Sequence, residues 1–101
     1  MRSRKMWVDD LRPPPTGEHD AHGWDWFKSS GPAIRGLEWA KRNGITYSTM
    51  SLDHDLGGDD TTRPVVLWCC ENDFWPEQVV VHSANPVGRE WLEGMIERYK
   101  S

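Results

Sequence analysis

Four acids, two histidines, a serine, an asparagine and an arginine fall in three short runs that together could handle a phosphate. Asp9 and Asp10 end the apolar approach of WVDDLRPPP, with Arg12 just beyond. Asp53, His54 and Asp55 stand together in SLDHDLGG, and His82, Ser83 and Asn85 in VVVHSANPVG. Neighbouring carboxylates repel, so a chain keeps them where water solvates them or a cation sits between them. Asp9, Asp10 and Asp53 offer hard oxygen ligands, which suit Mg²⁺ or Mn²⁺, ions that take a few carboxylates and leave positions for water and phosphate oxygen. Arg12 is suited to steady a carboxylate or a phosphate. Ser83, Asn85 and the N–H groups at the start of a following helix would form an anion site opposite. A bound ion would polarise the phosphoryl group and deliver water, or Asp53 would attack directly; His54 or His82 would move the proton.

Each run also has a plainer reading taken alone: a solvated turn, an Asx-rich loop and a helix cap. What joins them is position. KMWVD, DWFKS, TYSTMSLD and QVVVHS read as strands, each bounded by breakers or charges. Between and after them GPAIRGLEWAKRNG puts Ala33, Ile34, Leu37 and Ala40 on one helical face, with Pro32 in the first turn and Gly44 at the stop. TTRPVVLWCCEND is apolar nearly all round, a short helix capped by Thr61 or Thr62. NPVGREWLEGMIERYK places Val87, Trp91, Met95 and Tyr99 on one stripe behind an Asn85 cap and Pro86. Strands alternating with helices imply a mostly parallel sheet with right-handed crossovers, an open α/β sandwich whose ligands bind beyond the carboxyl ends of the strands. All three polar runs fall on that rim.

The bulk properties narrow the function further. A chain of 101 residues makes one domain, residues 1–101, with a core that needs no staples. A net charge of -4 and a pI near 5.5 argue against duplex DNA and anionic membrane as partners, while leaving room for a small nucleotide. Adjacent Cys69 and Cys70 close no useful loop and cannot easily share a tetrahedral zinc centre, so a reducing compartment and buried helical thiols are expected. The apolar run after MRSRK stops at Asp9, too soon for a signal peptide or a membrane span, and the cytoplasm is the expected location. RPPPTGEHDAHG, residues 12–23, reads as a loop. Trp24 and Trp26 lie beside it and are candidates for stacking on a ligand; the other five of the seven tryptophans read as core.

The acidic pair of WVDDLRPPP, the Asp of SLDHDLG and the Ser of VVVHSANPVG resemble the response-regulator receiver superfamily. More closely, these three motifs resemble its small cyclic-phosphate processing receiver group, over nearly the whole chain from Met6 to about Tyr99. The resemblance implies a shortened receiver: a three-layer sandwich with about four parallel strands in the order 2-1-3-4, helices on both faces, a Pro-rich loop in place of the first helix and no fifth strand. It also implies processing of a cyclic phosphate on a nucleotide or an RNA end. Asp9 and Asp10 would bind metal, Asp53 would be ligand or nucleophile, Asp55 a further ligand, and Ser83 would contact phosphate. His54, His82, Asn85 and Arg12 belong to the group's own motifs. The late Lys of receivers has no counterpart, which weakens an alternative in which Asp53 is a signalling phosphoacceptor; a second alternative is nucleotide-phosphate binding without chemistry. Where the group tends to carry a Gly before the helix after LDHDLG, this chain has TTRPVV with Pro64.

Overall fold

A computed structural model describes residues 4–15 and 24–100 of the chain. It contains β1 (Arg4–Val8), β2 (Trp24–Phe27), α1 (Ser30–Arg42), β3 (Tyr47–Leu52), α2 (Arg63–Asn72), β4 (Gln78–Val81) and α3 (Pro86–Tyr99). Of the expected 12–23 loop, residues 16–23 lie outside the described residues, as do residues 1–3 of the basic start. No described helix is long and apolar enough to cross a membrane.

The strands form one parallel sheet in the order β2-β1-β3-β4, with Trp7 level with Trp26 on one side and Ser51 on the other, and Leu52 level with Val81. Strand side chains alternate between faces. Met6, Val8, Met50 and Leu52 face the core, where they meet Ala33 and Leu37 of α1, Val65, Val66 and Cys69 of α2, and Leu92 of α3. The helices pack in series, α1 on α2 and α2 on α3. Right-handed crossovers account for this: the chain steps the same way across the sheet from β2 to β3 and from β3 to β4, so each connection lands on the same face. The opposite face presents Lys5, Trp7, Trp24, Trp26 and Ser51, and no described helix covers it. Helices on both faces are therefore not seen among the described residues, as a loop in place of the first helix would leave it.

The local signals explain the ends of elements. Asn85 accepts from the Gly88 N–H at 3.1 Å and Pro86 opens α3, as expected of a cap followed by proline. Asp60 caps α1 from a distance, taking both the N–H and the hydroxyl of Ser30. The Thr62 hydroxyl does not cap α2; it donates to the Asp53 carbonyl at 2.7 Å, while Thr61 Oγ1 accepts from Arg63 N–H at 3.2 Å. On α3 the buried residues are Gly88 and Leu92; of the expected stripe Trp91 and Met95 pack against the core, whereas Val87 and Tyr99 are corrected, being 72% and 47% exposed. The helix carries apolar residues on more than one stripe, and the close seat of Gly88 selects among them.

At the start of the sheet, Arg4 grips Asp25 with two bonds of 2.9 Å, and the Tyr47 hydroxyl donates to the same carboxylate at 3.1 Å. Burial first, and then the charge of Asp25, push the Tyr47 hydroxyl up from 10.0 to about 12. A folded-state pKa above the unfolded one contributes stability that is present below pH 10.0 and lost as pH rises through about 12. Unfolding midpoints are expected to fall through that window in wild type, and much less in Tyr47→Phe, when thermal melts are followed against pH.

Candidate functional site

Three strand ends converge on one rim. Asp9 and Asp10 follow β1, Asp53 follows β3 and His82 follows β4. Parallel pairing holds the ends level: Asp53 N–H donates to Val8 O and His82 N–H to Leu52 O, both at 2.9 Å. Carboxylate oxygens of Asp9, Asp10 and Asp53 all lie within 4.8 Å of one another. They line a cavity of about 190 Å³ with Leu11, Arg12, His82 and Ala84. Five expected site residues, Asp9, Asp10, Arg12, Asp53 and His82, are thus brought together.

Asp9 is the best-held member. It is buried, its Oδ1 accepts from the N–H groups of Leu11 (2.9 Å) and Arg12 (2.8 Å), and its Oδ2 meets His82 Nε2 at 2.9 Å. Burial, the largest influence, acts to raise its pKa, but the two backbone N–H groups and then His82 outweigh it and hold the carboxyl below its ordinary value. Asp9 is therefore an anion ready for a cation without first losing a proton. Asp53 Oδ1 accepts from the following His54 N–H at 2.9 Å. Asp10 is half-buried, and Gly57 comes so close that a Cβ there would stand 3.1 Å from Asp10 Oδ2. With φ at +86°, Gly57 holds a backbone shape that side chains resist.

His82 links the site to the sheet. Its ring stacks on Trp7 at 4.0 Å and 5°, and its Nδ1 stands 2.7 Å from the hydroxyl of buried Ser51. An ionised carboxylate can only accept, so Nε2 carries the hydrogen toward Asp9, and in the neutral ring Nδ1 accepts from Ser51. Ser51, His82 and Asp9 thus form a hydrogen-bonded line across three adjacent strands. Ser51 was not among the expected site residues. The available signal was its place two residues before Asp53, which puts both side chains on one face of the strand.

The remaining expected residues build a second cluster. Buried His54 accepts from Arg63 Nε at Nε2 (2.9 Å) and meets Asp55 Oδ1 at Nδ1 (3.0 Å). Arg63 offers only donors, so Nδ1 carries the hydrogen of that ring. Asp55 Oδ2 accepts from Asn85 Nδ2 at 3.1 Å; this bond, then that with His54, holds the Asp55 carboxyl below its ordinary value. Arg63 also lies 4.7 Å over the Trp91 ring. Ser83 is buried and its Oγ accepts from Asn85 N–H at 3.1 Å, which leaves Ala84 at the cavity wall. His54, Asp55 and Asn85 therefore tie the β3 loop to α2 and α3, Ser83 holds the turn before α3, and none of the four lines the cavity. Both histidines have both ring nitrogens bonded, so the expected proton-moving role has no unoccupied ring nitrogen to use in this geometry.

The two candidate stacking residues also differ. Trp24 stands edge-on to Trp7 at 5.4 Å with Lys5 Nζ over it at 5.1 Å. Trp26 is 38% exposed and its indole N–H donates to the Asp9 carbonyl at 2.7 Å. Trp26 thus anchors the backbone of the first carboxylate.

The family model described as the cyclic-phosphate processing receiver domain matches residues 4–98. No curated protein and no solved structure matches the chain.

Proposed function

The chain belongs to the cyclic-phosphate processing receiver family, and from that premise we propose that it opens a cyclic phosphate on a nucleotide or an RNA end in a metal-dependent hydrolysis. The observation that carries this reading is the convergence of Asp9, Asp10 and Asp53 in a cavity that also has Arg12 on its wall. An all-oxygen, anionic donor set of this kind fits Mg²⁺ or Mn²⁺. A bound ion would neutralise phosphate charge and polarise the phosphoryl group. Arg12 contacts the phosphate, and Asp53 is the catalytic carboxylate that orients the water. In the reaction water adds across one ring P–O bond: its oxygen bonds to phosphorus, the ring oxygen departs with a proton, and a monoester remains. His82 positions Asp9, and His54 and Asp55 brace the loop that carries Asp53.

A panel of cyclic phosphates incubated with the protein and Mg²⁺ or Mn²⁺ is expected to give ring-opened monoester, with turnover lost in EDTA. No turnover of any member would overturn the proposal. Phosphate transferred to Asp53 from a small phosphodonor without turnover would instead mark a receiver-type module, and ligand bound and recovered unchanged would mark a binding protein.

The line through Ser51 gives a further expectation. A partner behind a ligating group typically matters by 10–100-fold in metal affinity. Ser51→Ala removes the group that orients His82 from behind and is expected to weaken Mg²⁺ binding by about tenfold at the low end of that range. Calorimetric titration of the apo protein measures this, and the ¹⁵N shifts of the His82 ring report whether its hydrogen leaves Nε2.

A further inference from the structure

We propose that two copies of this chain pair through β4 in antiparallel register about a two-fold axis beside Val80, making one continuous sheet. β4 is an outer strand of the sheet. His82 N–H is bonded inward to Leu52 O, so alternation turns the N–H and C=O groups of Val79 and Val81 away from β3. Among the described residues no strand takes them. An outer strand with open backbone groups is a template for another strand unless charge, proline or a bulge blocks it. The sequence QVVV has none of these, and Val80 is 38% exposed.

The occupant that fits is a second copy. With Val80 opposite its own counterpart, Val79 of one copy meets Val81 of the other, and both pairs exchange both of their backbone bonds, so all the outward groups are used. A two-fold interface must be self-complementary, and this register is. The helix beside the strand agrees. A groove of about 300 Å³ between β4 and α3 is lined by Val79, Val81, Ile96, Arg89, Glu93 and Glu97. Because α3 runs back along β4, the two-fold brings Arg89 near its start toward Glu97 near the partner's end. Arg89 is bonded to Glu93 at 3.3 Å on its own helix and exposed, so its charge is available to both. The valines at the strand face would meet their copies across the junction.

Sedimentation over about 1 μM to about 500 μM protein, which brackets the affinities of weak and moderate dimers, tests the proposal. A monomer–dimer equilibrium is expected. Val80→Lys sets two like charges opposite each other and is expected to weaken the dimer at least about 100-fold. Arg89→Glu is expected to weaken it about tenfold, and Arg89→Glu with Glu97→Arg to restore it. Both exchanged residues are exposed on a helix, so these variants fold even if Val80→Lys does not. A monomer across the whole range would overturn the proposal, as would a dimer indifferent to both Val80→Lys and the charge reversal.

Discussion

Asp53→Asn is expected to abolish metal-dependent ring opening, by about 1,000-fold or more, while the fold remains intact and its metal-free form melts slightly higher. Asn preserves the shape and the oxygen that accepts the His54 N–H at 2.9 Å. It removes one of the negative charges held within 4.8 Å of one another. Relief of like-charge repulsion on that scale amounts to about 1 kcal/mol at a dielectric close to that of bulk water, the lower bound for this solvent-open rim. For a domain of this size that is about 4–8 °C in melting temperature. Were the carboxylate only a turn cap, losing it would cost about 1 kcal/mol, with the opposite sign. Mg²⁺ at 100 times its dissociation constant stabilises a single-site protein by about 2.7 kcal/mol. Melting both proteins in EDTA and in millimolar Mg²⁺ thus gives two readouts, and a Mg²⁺ stabilisation that persists unchanged in the variant would remove Asp53 from the site.

Gly88→Ala is expected to destabilise the protein by about 3 kcal/mol or more, although Ala is the better helix former by about 1 kcal/mol. A Cβ at this position would collide with His54 Cγ and stand 2.6 Å from Cδ2 and Nδ1. The ring cannot give way cheaply, because it is buried and bonded to Arg63 on one side and Asp55 on the other. Either those bonds break or α3 withdraws, and withdrawal would also shift Asn85 and the Ala84 wall of the cavity. Chemical denaturation measures the loss. Replacing His54 by Ala as well should recover part of it, since contacting residues couple. A stabilised Gly88→Ala would show that helix propensity outweighs the fit to His54.

Much of this was legible in the sequence because it is local or periodic. Breakers marked the strand ends, Asn85 and Pro86 announced the start of α3, and the alternation of strand and helix required the rim on which Asp9, Asp53 and His82 meet. What was not legible depends on register between distant segments. Ser51 reads as one more polar residue in TYSTMSLD; its bond to His82 exists because β4 pairs with β3 in one particular offset. Gly88 carries no hydropathy signal, so a stripe drawn through Val87 missed the face that a histidine 34 positions earlier selects. By type alone the histidines read as proton carriers. Their actual partners, Arg63 for one and Ser51 for the other, stand on elements whose packing a spacing argument cannot reach.

The inner place of β1 bears on how the chain acquires its shape during synthesis. A chain made only as far as α1 can give β1 one neighbour, β2, and leaves its other side open. The second neighbour is β3, whose Leu52 pairs with Val8 and whose next residue is Asp53. Contacts between segments so far apart in sequence form slowly, because the intervening chain must be closed into a loop first. The step that completes the middle of the sheet is therefore the step that brings the third carboxylate to the other two. A nascent chain, or a refolding one, holds Asp53 apart from Asp9 and Asp10 until its central strand is secured on both sides.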